Sequence, residues 1–192
     1  MGAMPVENVS GYDERIARIV SLDFNDRNIT VVPAGIAGLD SLKTLNMSAH
    51  SATQLPPEIG SCAALEHMNI GPGGLTALPP EIGNLANLKF LSASGNAMTS
   101  LPDEIGNCVL LDHLSLGGNR LAALPQSIGN LTALTGLWID NNGMTDLPET
   151  IVGCINVTTL TIDGNSICAP LPSVSAWIGQ RVADWQSRQT CQ

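Results

Sequence analysis

Apolar positions recur along the chain with one fixed period. Leu22, Leu45, Met68, Leu91, Leu114, Leu137 and Leu160 follow one another at intervals of 23 residues. Two residues after each of these anchors come Phe24, Met47, Ile70, Ala93, Leu116, Ile139 and Ile162. Three before them stand Ile19, Leu42, Leu65, Leu88, Leu111, Leu134 and Val157, and seven after them Ile29, Ala52, Leu75, Met98, Leu121, Met144 and Ile167. No insertion or deletion breaks the register across the seven units. An internal repeat of this kind dictates the architecture.

The anchor and the residue two later are apolar, with polar residues between them. That is the period of a short strand with one buried face. A turn with Asn or Gly follows, then Leu-Pro and a segment such as Leu101-Pro-Asp-Glu-Ile-Gly-Asn107. Proline cannot donate to a ladder but suits the start of a helical turn. Each unit therefore has room for one strand, two turns and one short helical or 3₁₀ segment. Stacking the units predicts a parallel sheet on one side and helical pieces on the other.

Leu111-Asp-His-Leu-Ser-Leu-Gly-Gly-Asn119 and its equivalents resemble the leucine-rich repeat pattern L-x-x-L-x-L-x-x-N-x-L. Leu124-Pro-Gln-Ser-Ile-Gly-Asn-Leu131 resembles the L-P-x-x-I-G-x-L element of scribble-like, Ras-suppressor-like and plant intracellular Ras-group leucine-rich repeat proteins. The resemblance covers about residues 14–170. It implies an α/β fold, a curved solenoid with a concave parallel sheet and short convex helical or 3₁₀ segments. It also implies protein binding on the concave face, with no catalysis. In the family, an asparagine five residues after the anchor bonds the backbone of adjacent turns. Asn96, Asn119, Asn142 and Asn165 hold that place here. Arg27, His50 and Gly73 depart from it, so the N-terminal half is expected to be less regular and more mobile.

The ends read as caps, which a solenoid needs over its terminal cores. Residues 1–15 are expected to hold a cloning remnant, Met1-Gly-Ala-Met4, and an N-terminal cap, with Tyr12–Ile19 leading into the first repeat. Residues 16–169 are the seven repeats, and residues 170–192 the C-terminal cap. Within that cap, apolar residues at 174, 177, 178, 182 and 185 have helical spacing, with Ser173 placed as N-cap after Pro172. Trp177 and Trp185 would lie on the last repeat.

Cys62, Cys108 and Cys154 share a column with Leu39, Leu85 and Leu131, which makes them core residues rather than metal ligands. Cys168 and Cys191 flank the cap helix. They are either a disulfide pinning the cap or two unrelated thiols. Five N-x-S/T acceptors, at Asn8, Asn28, Asn46, Asn130 and Asn156, exceed the roughly two that composition predicts. Together with the cap cysteines they favour a secreted or cell-surface setting, whereas the subfamily resemblance points to the cytosol.

Composition removes several functions. Charged residues are 13% of the chain, with 17 Asp+Glu against 8 Lys+Arg and a net charge of −9. Nucleic acid is therefore a poor partner. No apolar run reaches the ~20 residues of a membrane helix. Gly71-Pro-Gly-Gly74 lacks the Lys-Ser/Thr and helix of a phosphate loop. Aromatic residues are only 3%, so the core must be aliphatic.

Residues flanking the anchors face the concave side, and most of them are small. His67, Phe90 and His113 are consecutive in one column, Trp138 lies one strand further, and Gly136 beside it leaves room for a large group. A partner-binding patch is expected there, rimmed by Arg120, Asp140 and Asp163. His67 and His113 are two strands, or roughly 10 Å, apart, too far to share a metal. No cofactor, metal or catalytic residue is expected, and the chain should be a monomer that takes a protein or peptide. The competing readings are an adhesive or self-associating repeat protein, and the repeat domain of a larger receptor.

Overall fold

The computed structural model describes residues 18–191. The expected cap at residues 1–15 lies outside them. Seven three-residue strands form one parallel sheet in chain order: β1 (Ser21–Asp23), β2 (Thr44–Asn46), β3 (His67–Asn69), β4 (Phe90–Ser92), β5 (His113–Ser115), β6 (Gly136–Trp138) and β7 (Thr159–Thr161). The anchors of the repeat are partners in the ladder, from Leu22 opposite Leu45 to Leu137 opposite Leu160. The chain is a leucine-rich repeat type of solenoid, curved, with this sheet on its concave side.

On the convex side, 3₁₀ turns occupy Ala34–Gly38, Pro57–Ser61, Pro80–Asn84, Asp103–Asn107, Gln126–Asn130 and Glu149–Gly153. Each is preceded by an extended proline, Pro33 through Pro148, which presets the turn without needing a donor. Each buries one isoleucine. The turns pack backbone to side chain at close range. A methyl group at Gly83 would come within 2.5 Å of the Glu104 carbonyl oxygen, and one at Gly106 within 2.5 Å of that of Ser127. The I-G element is therefore a packing requirement between neighbours.

The core is a stack of aliphatic columns. Cys62, Cys108 and Cys154 are buried in it, and each thiol lies 3.2–3.4 Å from a 3₁₀ carbonyl one turn back, those of Ile36, Ile82 and Ile128. Burial pushes the Cys108 and Cys154 thiols up to about 11, and raises that of Cys62 with help from the charge of Asp40.

Buried amides join the turns. The Asn119 side chain donates to the carbonyls of Ala93 and Leu116 at 2.9 and 2.8 Å, and accepts from the Met98 N–H at 3.1 Å. Asn96, Asn142 and Asn165 repeat the same three bonds in their own turns. All of them meet groups that would otherwise be buried and unpaired.

The first three turns keep the strand register but solve the turn differently. The position four residues after the anchor is left-handed in six repeats. Glycine or asparagine fills it at Gly95, Gly118, Asn141 and Gly164, whereas Asp26 and Ala49 fill it in the first two turns. The third turn has a cis Gly71–Pro72 bond there. His50, in the asparagine column, is 5% exposed, and its Nε2 lies 3.2 Å from the Ile70 carbonyl oxygen, while Nδ1 is buried without a partner. Its ring reaches forward into the space left by Gly73, where a methyl group would come within 2.1 Å.

The C-terminal cap corrects the expected helix. Helix α1 spans Pro172–Gly179, with Leu171 as N-cap and Pro172 inside its first turn, so Ser173 is not the cap residue. Gly179 and Gln180 end it, and Trp185 belongs to a separate 3₁₀ turn, Trp185–Arg188. Trp177 and Trp185 are both buried. Arg181 lies 4.2 Å from the Trp177 ring and donates through Nε to the Val157 carbonyl. The final segment behaves as a degenerate eighth turn. Gln189 donates to the carbonyls of Ile162 and Trp185 and accepts from the Ile167 N–H, taking over the ladder role of asparagine. Cys168 and Cys191 are bonded, and their separation of 23 residues is the repeat period.

Two outcomes follow for stability. Asn119→Ala leaves a buried N–H and two carbonyls short of partners and should cost about 2–4 kcal/mol in urea unfolding, against less than about 0.5 kcal/mol for exposed Arg120→Ala. Gly73→Ala should destabilise by roughly 1–3 kcal/mol through overpacking. Much of that loss should disappear when His50 is also changed to Asn, a coupling that a double-mutant cycle reads directly.

Candidate functional site

The concave sheet carries small polar residues along most of its columns, and one row of rings across β3–β6. Repeat identity fixes strand spacing, so large side chains at one register must stack. The His67 and Phe90 rings are 6.3 Å apart at 28°, Phe90 and His113 6.1 Å apart at 33°, and His113 and Trp138 5.7 Å apart at 16°. Trp138 belongs to the next column but reaches this row because of Gly136. A methyl group at Gly136 would meet the Trp138 benzo ring at 2.3 Å and His113 at 3.3 Å. Gly136 is buried beneath the ring. The sequence showed the space at Gly136, but the closing of the row from two columns required the side-chain direction.

The row is held at His113 by the neighbouring carboxylate. Asp112 lies 2.9 Å from His113 Nδ1 and also accepts from the Thr135 hydroxyl. This orients the imidazole with its Nε2 away from the carboxylate. His67 and His113 are separated by Phe90, as expected, and no group of three His, Cys, Asp or Glu converges on a metal site among the described residues.

The rim residues differ in placement. Asp140 and Asp163 occupy the same column on the turns after β6 and β7. Asp140 accepts from the Thr161 hydroxyl at 2.8 Å and the Asn141 amide at 2.7 Å. Asp163 faces Arg188 of the cap at 3.6 Å, beyond direct hydrogen-bond length. Arg120 is exposed on the turn after β5, and the contacts of the row do not involve it. The acceptor asparagines Asn28, Asn130 and Asn156 are exposed and Asn46 is half-buried, while Asn8 lies outside the described residues.

A charged cluster that the sequence reading passed over sits at the strand starts. Lys43 and Lys89 flank Glu66 at 3.1 and 2.7 Å across β2–β4. Their signal was a 23-residue column of alternating sign, Lys43, Glu66, Lys89.

A parallel sheet of three-residue strands, proline-started 3₁₀ turns and an amide ladder define a repeat solenoid with an open concave face. The chain is a leucine-rich repeat protein. A family profile described as a leucine-rich repeat region matches residues 77–162. A leucine-rich repeat protein of Leptospira interrogans is 32% identical with a TM-score of 0.62, over 75% of this chain and 43% of that one. The leucine-rich repeat ectodomain of the Arabidopsis thaliana membrane receptor kinase GASSHO1/SCHENGEN3, in complex with Casparian strip integrity factor 2, is 32% identical with a TM-score of 0.69, over 76% of this chain and 18% of that one. An internalin of Listeria monocytogenes, 22% identical with a TM-score of 0.67 over 89% of this chain and 46% of that one, shares the fold. The chain spans less than half the length of each. No curated protein sequence matches it. No helix among the described residues is long and apolar enough to cross a membrane.

Hydrogen bonds from Lys89 and then Lys43, with their charges, hold the Glu66 carboxyl down to about 2. A lowered folded value stabilises the native state above the unfolded value of about 4.3, and the contribution is lost as pH falls from there toward 2. A carboxyl NMR titration should place the Glu66 midpoint near 2. It should return toward about 4.3 in Lys43→Met/Lys89→Met, and the shift should shrink with added salt.

Proposed function

We propose that the chain is a protein-recognition module that takes a protein or peptide segment across the concave sheet, on the row His67, Phe90, His113 and Trp138. The observation that carries this reading is the contiguity of those four rings. A repeat that needs only to stack has no packing use for them, since their anchors are already buried beneath. Tryptophan and other aromatics are enriched at the energetic centres of interfaces. Their mutual stacking orders them before binding, which reduces the entropy lost on association. Leucine-rich repeat folds are protein-interaction modules, and a receptor ectodomain of this fold is known in complex with a partner. In this reading residues 16–169 form the recognition unit, residues 170–192 close it, and binding rests on shape and side-chain complementarity without chemistry.

The test is affinity capture with the wild type and with Phe90→Ala/Trp138→Ala as parallel baits, followed by titration of the captured partner. The anchors stay in place, so melting should change little. The partner's affinity should fall by about 2 kcal/mol or more, roughly thirty-fold. A partner that binds both forms equally would place its site elsewhere.

A further inference from the structure

The charges of the concave face are unequally shared along the row. Toward β2–β4, Glu66 is bracketed by two lysines. Toward β5–β7 the charged side chains are Asp112, Asp140 and Asp163, with Arg120 exposed on the turn after β5. Asp140 is satisfied by a hydroxyl and an amide, which leave its charge in place. Arg188 faces Asp163 only at 3.6 Å and is half exposed.

Trp138 stands on this carboxylate side. One side of its ring has His113 at 5.7 Å. On the other, β7 presents the small residues Thr159 and Thr161. Asp140 follows two residues later, on the same face of the chain, and Asp163 lies one turn beyond it. Trp138 is thus paired with Thr161 of β7, and the Thr161 hydroxyl donates to the Asp140 carboxylate.

Building on the recognition reading above, we infer that the partner segment is a basic peptide, with one Arg or Lys side chain received on the β7 side of Trp138, against Asp140 and Asp163. An indole attracts a cation through its quadrupole, and carboxylates strengthen the hold by charge-assisted hydrogen bonds. The net charge of −9 draws such a segment to the protein before contact. An acidic segment would bring like charge against three aspartates. The Asp163 oxygen that faces Arg188 is buried without a hydrogen-bond partner, so no direct hydrogen bond from the cap satisfies that carboxylate.

A random 12-residue phage-displayed peptide library, selected on the full chain, tests this. Selected peptides should carry Arg or Lys. As synthetic peptides, their affinity should fall on the order of tenfold or more in Asp140→Asn/Asp163→Asn, and also in Trp138→Ala. It should weaken as NaCl rises from about 50 to about 500 mM, a readout that needs no variant to fold. Circular dichroism checks that the variants keep the native sheet. Peptides that are lost with Phe90→Ala but carry no basic residue, and ignore both salt and the aspartate changes, would overturn the basic partner while leaving the concave site standing. Peptides indifferent to Phe90, Trp138 and the aspartates alike would overturn both. A library that yields no peptide would discard a linear basic segment and leave recognition of a folded protein surface.

Discussion

Each turn of this solenoid can bury its apolar side only against the turn before and the turn after. The backbone of the turns meets in the same dry interior, where an unpaired N–H or carbonyl costs about 1–3 kcal/mol. The asparagine amide resolves that conflict. It donates to its own turn and to the one behind, and accepts from the latter, so that Asn96, Asn119, Asn142 and Asn165 join successive coils. A side chain of that length reaches both carbonyls only if every turn has the same rise and register. The strict period of 23 residues is therefore a consequence of satisfying polar groups as much as of stacking leucines.

The same regularity leaves the concave surface free to vary. Its columns are spaced by the backbone and supported from beneath by buried anchors, so a change of side chain there costs little in folding. Rings placed on neighbouring strands come to 5.7–6.3 Å from one another with no further device. Trp138 needed one: the missing side chain at Gly136, over which its ring folds to meet His113. Asp140 uses the same principle, with its carboxylate leaning over Gly117, where a methyl group would approach to 2.8 Å. Glycine on one position shapes what a neighbour presents to a partner.

Periodicity carried the fold into the sequence because every column repeats one requirement seven times. Strand register, the 3₁₀ segments and the core cysteines follow from the columns alone. The features that escaped were single events. His50 fills the asparagine column with a ring that reaches forward over Gly73, a compensation between two residues 23 apart that each read as a defect alone. Apolar spacing from 174 to 185 read as one helix, yet the chain leaves α1 at Gly179 and places Trp185 in the core column of the degenerate turn. Pattern arguments determine what must be buried, while the direction taken by an unrepeated side chain depends on its neighbours.

The C-terminal cap ties these levels together. A last repeat has no successor to complete its amide bonds, so a substitute must present the same groups at the same height. Gln189, one methylene longer than asparagine, does so from a turn that is shifted by one residue. The cystine joins equivalent places in the last full repeat and this substitute, Cys168 and Cys191. Arg188 lies between them in sequence, with its backbone carbonyl accepting from Gly164 and its guanidinium facing Asp163. The segment that closes the core therefore also sets the charge at one rim of the concave face. Anything that loosens the cap acts on stability through the core and on the binding surface through that one arginine.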